Sequence, residues 1–263
     1  MKAIHSRDNP FARHLIALAH SSRERKKSGH TVLDGAHLVD AFIASGRMPL
    51  SVAIRESAIN SDDAVLLLKK IAGTDVVTNV LADALINEAS ALDSPAAIMA
   101  IVDTPISQRI PANADAVIVL DNVQDPGNVG TILRSAAAFG IRHALLGQGT
   151  AFAWSPKVLR AGQGAHFAIN IVEGMDVVEF LGKFGGVSLA MVPSQLAATS
   201  IMNTNLSGPV AILIGSEGAG LAPSVIAAAS QLVTIPMPGE TESLNAAVCA
   251  AIAMYEMRRQ RDV

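Results

Sequence analysis

Apolar residues recur along this chain in short runs broken by polar or glycine-rich stretches. Their spacing alternates between the strand period of two and the helix period near 3.6. Asn9-Pro10 opens a predicted helix with Phe11, Leu15, Ile16, Leu18 and Ala19 along one side. Strands are then predicted at residues 30–33, 49–54, 75–77 and 98–102, with helices at 36–45, 62–72 and 81–89 between them. The charged run Arg23-Glu24-Arg25-Lys26-Lys27 reads as a turn between the first helix and the first strand. This alternation predicts a small α/β sandwich over residues 1–105. A linker follows at 106–115, inside the polar stretch 103–115 with its two prolines.

A second domain is predicted over 116–263. Ala116 to Leu120 is a continuous apolar run, as expected of a parallel strand covered on both faces. It empties into the polar loop Asp121–Asn128, broken by Pro126-Gly127, and a helix from Val129 to Phe139 ends at Gly140. Strands follow at 143–146, after His166, at 187–191, at 210–214 and at 231–235. Ser155-Pro156 caps a helix reaching Ala161, and residues 176–183 form another. The last helix is Ala-rich and begins near Ser243, its predicted N-cap, with Asn245 in the first turn. The predicted class is α/β with a mostly parallel sheet. Two strands end in loops of small, polar or acidic residues, Gly215–Gly220 and Met237–Asn245, which is where open α/β sheets place their sites.

Composition narrows the chemistry. Half of the 263 residues are apolar but only 3% are aromatic, so Ala, Val, Leu and Ile build the core. No run of eighteen apolar residues predicts a membrane span, and the N-terminus MKAIHSRDNPFARH has no apolar signal segment. The single Cys249, among alanines, reads as a small apolar residue, and a cytoplasmic protein without disulfides is expected. No Cys pair or H-E-x-x-H predicts a metal site, and no G-x-S-x-G predicts a serine hydrolase. The loop Gly215-Ser216-Glu217-Gly218-Ala219-Gly220 has neither dinucleotide-fold nor phosphate-loop spacing; its glycines fit a tight turn or close approach to a ligand. The net charge is −3, yet residues 1–30 carry seven Lys or Arg, Lys2 among them, against two acids. Arg23, Arg25, Lys26 and Lys27, and Lys157 with Arg160 three residues apart, suit phosphate contact or plain solvation.

Three stretches together resemble one family. IGSEGAGL and VTIPMPGETESLNAAVCAAIAMYE resemble the second and third signature motifs of the SpoU/TrmH class of RNA ribose 2′-O-methyltransferases, in the SPOUT superfamily. Leu120 to Ala136, LDNVQDPGNVGTILRSA, resembles the first. The resemblance spans roughly the C-terminal 150 residues and implies a deep trefoil knot, S-adenosylmethionine as cofactor and RNA as substrate. It assigns catalytic roles to Asn128, Arg134, Glu217, Ser243 and Asn245, with Glu217 tethering Arg134 and the ribose. It assigns cofactor contacts to Leu213, Gly215, Ile235, Met237, Ser243 and Leu244. The N-terminal third is similar to the L30e-like substrate-binding domain of such enzymes, with Asp34-Gly35 where the family usually has Glu-Gly. Gly162-Gln163-Gly164-Ala165 departs from a Ser-containing family pattern, so no contact is assigned there. His166 reads as structural.

The resemblance implies 2′-O-methylation of ribosomal RNA, with transfer RNA next because minimal single-domain members more often act there. It also implies a homodimer whose active site is completed between protomers. The Ala-rich last helix fits such an interface or burial within the monomer. The alternatives are a non-catalytic RNA-binding protein that keeps the knot, and a dinucleotide-dependent oxidoreductase. The second lacks both G-x-G-x-x-G and an acid at the end of the second strand.

Overall fold

The computed structural model describes residues 3–91, 95–196, 198–239 and 243–261, so Lys2 and the motif residues Glu240–Glu242 lie outside the described residues. The chain divides into two units. One comprises residues 1–106 with 154–167, the other 107–153 with 168–263.

In the first unit the elements are α1 (Pro10–His20), α2 (Ser22–Ser28), β1 (His30–Asp34), α3 (Ala36–Ala44), β2 (Ser51–Arg55), α4 (Asp62–Ile71), β3 (Val77–Leu81), α5 (Asp83–Ala89) and β4 (Ile98–Asp103). The sheet order is β1-β4-β2-β3, antiparallel except for β2 with β3. Asn9 caps α1, its Oδ1 accepting from the N–H groups of Phe11 and Ala12. Leu15 and Leu18 then pack with Val32, Leu81, Ile86 and Met99 in one apolar cluster.

Three expectations change here. The strand expected at 75–77 runs over Val77–Leu81, because parallel pairing with β2 recruits the polar Thr78 and Asn79. The basic run 23–27 is a helix, α2, capped by Ser21 and closed by left-handed Gly29 at φ +71°. Arg25 points inward: it is 5% exposed, and its Nη1 donates to the carbonyls of Leu18 at 2.5 Å and Ala19 at 3.1 Å. It satisfies the last turn of α1 and is a structural cation, not a surface phosphate ligand. Asp34 is also buried, accepting from Ser90 Oγ and Ala96 N–H, and burial pushes its carboxyl above the ordinary range.

The segment 154–167, from the middle of the sequence, packs in this unit. It carries a short helix over Pro156–Gly162 that lies against the edge strand β1. Thr31 Oγ1 donates to the carbonyl of Trp154 at 2.8 Å, and the rings of Phe42 and Phe167 meet edge to face at 5.2 Å. His166 is 1% exposed against Trp154, in the structural role expected of it.

The second unit holds β5 (Ala116–Asp121), α6 (Pro126–Ala138), β6 (His143–Leu146), and, beyond the Pro156–Gly162 helix (α7), β7 (Asn170–Glu173). It continues with α8 (Val177–Leu181), β8 (Val187–Met191), β9 (Thr199–Ser200), β10 (Val210–Gly215), α9 (Pro223–Ala228), β11 (Gln231–Thr234) and α10 (Ala246–Arg261). All seven strands are parallel, in the order β7-β6-β5-β10-β8-β11-β9. Val117, Val119, Ala211 and Leu213 face Val177, Phe180 and Val225 of α8 and α9. Ile118, Leu120, Ile212 and Ile214 alternate to the opposite face, where α10 packs on α6 and β10. Burial on both faces explains the uninterrupted apolar runs. Among the described residues no helix is long and apolar enough to cross a membrane.

Candidate active site

The two central strands end side by side, with Asp121 of β5 in register with Gly215 of β10. The chain turns outward in opposite directions from this pair, which opens a crevice at the strands' carboxyl ends. Asp121 is nearly buried, and its Oδ2 accepts from the N–H of Ala222 at 2.8 Å, tying the end of the Gly-rich loop to β5. That loop is a closed turn. Ser216 and Gly220 exchange backbone hydrogen bonds of 3.0 Å in both directions, and Gly220 takes φ +68°. A side chain at Gly215 would lie 2.2 Å from Gly220 C and Leu221 N, so this glycine admits the loop's own backbone.

Beside the turn is a cavity of about 730 Å³. Five of the six residues to which the resemblance assigns cofactor contacts, Gly215, Ile235, Met237, Ser243 and Leu244, line it. Leu213 does not line it: its side chain is fully buried in the core and the next residue, Ile214, faces the cavity. The sequence reading missed a third wall, Met191 to Pro193 with Gln195 and Leu196, at the carboxyl end of β8. The signal was available, since the apolar run 187–191 also empties into a Pro-Ser-Gln loop. Cys249 lines the cavity too, its thiol pushed up to about 11 by burial.

Three expected catalytic side chains meet next to this cavity. Helix α6 starts at Pro126, earlier than expected, because Asp125 caps it by accepting from Asn128 N–H at 2.7 Å and proline suits its first position. Asn128 is therefore held in a first helical turn. Its Nδ2 donates to Glu217 Oε1 at 2.5 Å, and its Oδ1 accepts from Asn245 Nδ2 at 3.0 Å. Asn245, not Ser243, is the N-cap of α10, accepting from Ala247 N–H at 2.8 Å and Val248 N–H at 3.3 Å. Ser243 stays free to line the cavity. Arg134 is exposed, lines no part of the cavity, and has no hydrogen bond or ion pair among the described residues. The expected Glu217–Arg134 tether is not made; Asn128 holds Glu217 instead.

Of the expected RNA contacts, Arg23, Lys26 and Lys27 are exposed on α2, and Lys157 and Arg160 on α7. Both helices belong to the first unit and pack against β1. No group of three or more metal-ligating side chains occurs among the described residues.

The family model of the SpoU rRNA methylases matches residues 115–255, a span that contains the crevice, the closed turn and the Asn–Glu–Asn network. The chain belongs to the SpoU rRNA methylase family. RlmP of Bacillus subtilis (strain 168), a 23S rRNA (guanosine(2553)-2′-O)-methyltransferase, is 30% identical to this SpoU protein over 260 residues, covering 98% of this chain and 100% of its own. A solved RNA 2′-O ribose methyltransferase superposes with a TM-score of 0.82 at 27% identity, over 100% of both chains. The SpoU methyltransferase AviRb from Streptomyces viridochromogenes, solved in complex with AdoMet, superposes with a TM-score of 0.84 at 26% identity, over 97% of this chain and 98% of that one. Both likenesses thus extend over residues of the two units, well beyond the three motifs.

Proposed function

We propose that this protein transfers a methyl group from S-adenosylmethionine to the 2′-oxygen of a ribose in ribosomal RNA. The observation that carries this reading is the network joining Asn128, Glu217 and Asn245, one side chain from each family motif, beside the 730 Å³ cavity. The cofactor supplies an electrophilic methyl group on a sulfonium centre, so the protein's own work is to bind, orient and manage a proton. The cavity fits that cofactor: it has the volume of a small-molecule site, apolar walls from Val192, Leu221, Ile226 and Ile235, and hydroxyls from Ser216, Thr234 and Ser243. A non-catalytic RNA-binding protein would have no use for the three-motif network.

The first unit is the RNA substrate-binding domain of this reading. Arg23, Lys26, Lys27, Lys157 and Arg160 contact phosphates, which positions RNA without reading its sequence. In this reading the protein meets its RNA in the cytoplasm. Purified protein is expected to transfer labelled methyl from S-adenosylmethionine to a ribose 2′-oxygen of ribosomal RNA, free or in particles, from a host lacking it. Label on a base would overturn the chemistry, and label on transfer RNA alone would overturn the substrate. Neither transfer nor cofactor binding would favour the RNA-binding alternative.

The protein acts as a homodimer in this reading. An apolar groove of about 530 Å³ between α6 and α10 is lined by Phe139, Val248, Ile252 and Tyr255, with Val248 46% and Tyr255 59% exposed. Asn128 and Asn245 line the same groove, so it runs directly up to the network. Arg134 lies outside its own chain's cavity, so a second copy on this face would complete the site. Tyr255→Asp would bury a charge in that contact. Sedimentation is expected to show a dimer for the wild type and a monomer for Tyr255→Asp, with methyl transfer lost; a monomeric wild type at micromolar concentration would end the proposal.

A further inference from the structure

The hydrogen bonds around Glu217 have a fixed direction. Backbone N–H groups only donate, so the Asn245 atom that faces those of Ala247 and Val248 is its amide oxygen. The Asn245 amide nitrogen is then the atom facing Asn128, which must turn its oxygen to Asn245 and its own nitrogen to Glu217. Each amide is oriented by the one before it, back to the first turn of α10. The chain ends on Glu217 Oε1, which accepts from the Asn128 amide nitrogen. The other oxygen of Glu217 makes no hydrogen bond among the described residues. Glu217 is also the only carboxylate lining the cavity among them.

We propose that Glu217 is the proton acceptor of the reaction, with Asn128 and Asn245 as positioning residues that hold its carboxylate beside the cavity and leave one oxygen free. This rests on the methyl-transfer reading above. A lone pair of the 2′-oxygen forms the new bond to the methyl carbon, and the carbon–sulfur bonding pair leaves with sulfur. The O–H proton passes to the free oxygen of Glu217, leaving an ether, a thioether and a carboxylic acid that returns its proton to water. Positive and negative charge thus disappear together. A hydroxyl is a poor acid at rest but becomes a strong one as its oxygen takes up the methyl group, so a carboxylate suffices late in the step. The other candidates fit less well. A guanidinium such as that of Arg134 is not deprotonated in proteins. The thiol of Cys249 keeps its own proton, because burial raises it. Asp121 and Asp125 each hold a backbone N–H, of Ala222 and Asn128.

Glu217→Gln keeps the side chain's shape and removes the acceptor. Single-turnover methylation is expected to slow about 100-fold or more, with S-adenosylmethionine affinity by calorimetry within about 2-fold of wild type. The wild-type rate is expected to fall as the solution is acidified, and Glu217→Gln to lose that pH dependence. Asn128→Asp removes the donor to Glu217 and sets a like charge against it, so it should slow the same step while cofactor affinity holds. Asn245→Asp keeps a helix cap but cannot donate to Asn128, so it should leave the melting temperature unchanged while slowing the reaction. A Glu217→Gln rate above a third of wild type, or an Asn128→Asp rate equal to wild type, would overturn the assignment. Wild-type label on a base would overturn the ribose reading, and this assignment with it.

Discussion

Gly215→Ala is expected to abolish S-adenosylmethionine binding and to destabilise the second unit by about 3 kcal/mol or more, the upper range for forced overpacking. The added methyl carbon would stand 2.2 Å from Gly220 C and Leu221 N and 2.4 Å from Gly220 O. All three are backbone atoms, so no rotamer change relieves the overlap. The turn cannot easily retreat, because Ser216 and Gly220 close it with two backbone hydrogen bonds and Asp121 anchors it through Ala222. Relief means moving the turn by about an ångström, to ordinary van der Waals separation. That displacement carries Ser216, Glu217 and Leu221 away from the positions that line the cavity. Gly218→Ala is the control in the same turn: nothing lies within 4 Å of its added carbon, so its stability should stay within about 0.5 kcal/mol of wild type. Urea unfolding with calorimetric cofactor titration separates the two. Wild-type stability and affinity in Gly215→Ala would show that the turn is loose.

Local chemistry in the sequence reached far into this fold. Strand β5 appears within one residue of its apolar run, and the caps at Asn9 and Ser155 act as expected. Errors came where pairing or burial overrode a local signal. β3 takes in Thr78 and Asn79 because β2 is beside them, and Arg25 is drawn inward by open carbonyls at the end of α1. Ser243 and Asn245 are both good caps two residues apart, and only the position of α10 over the site decides for Asn245. Nothing periodic in residues 154–167 says that they pack with β1, since that partner lies more than a hundred residues away. The site was legible as residue types and not as a wiring diagram. The family resemblance pairs Glu217 with Arg134, whereas here an uncharged amide holds it.

Arg134→Ala is expected to lower methyl transfer about 100- to 1,000-fold, the range for removing one donor from developing negative charge. Stability should stay within about 0.5 kcal/mol of wild type. The second expectation follows from the structure: the side chain is exposed and without an ion pair among the described residues, so folding loses nothing when it goes. An unpaired arginine on the helix that holds Asn128 is a cation left available for substrate. Six residues separate the two on α6, about 9 Å along the axis, enough for Asn128 to serve Glu217 while Arg134 reaches outward. The contribution expected of this cation is stabilisation of the 2′-oxygen or a neighbouring phosphate. Two parallel N–H groups matter for that task, so Arg134→Lys should recover little of the rate despite keeping the charge. Single-turnover rates, thermal melts and cofactor titrations on both variants test this together. Near-normal turnover in Arg134→Lys would remove the bidentate role. Near-normal turnover in Arg134→Ala would leave Glu217 and its two amides to carry the chemistry without a cation. A mixed dimer of Arg134→Ala with Glu217→Gln chains adds the geometric test. If each site takes its arginine from the opposite chain, one of the two sites is whole and activity returns; if both residues serve the same chain, the mixture stays as inactive as its parents.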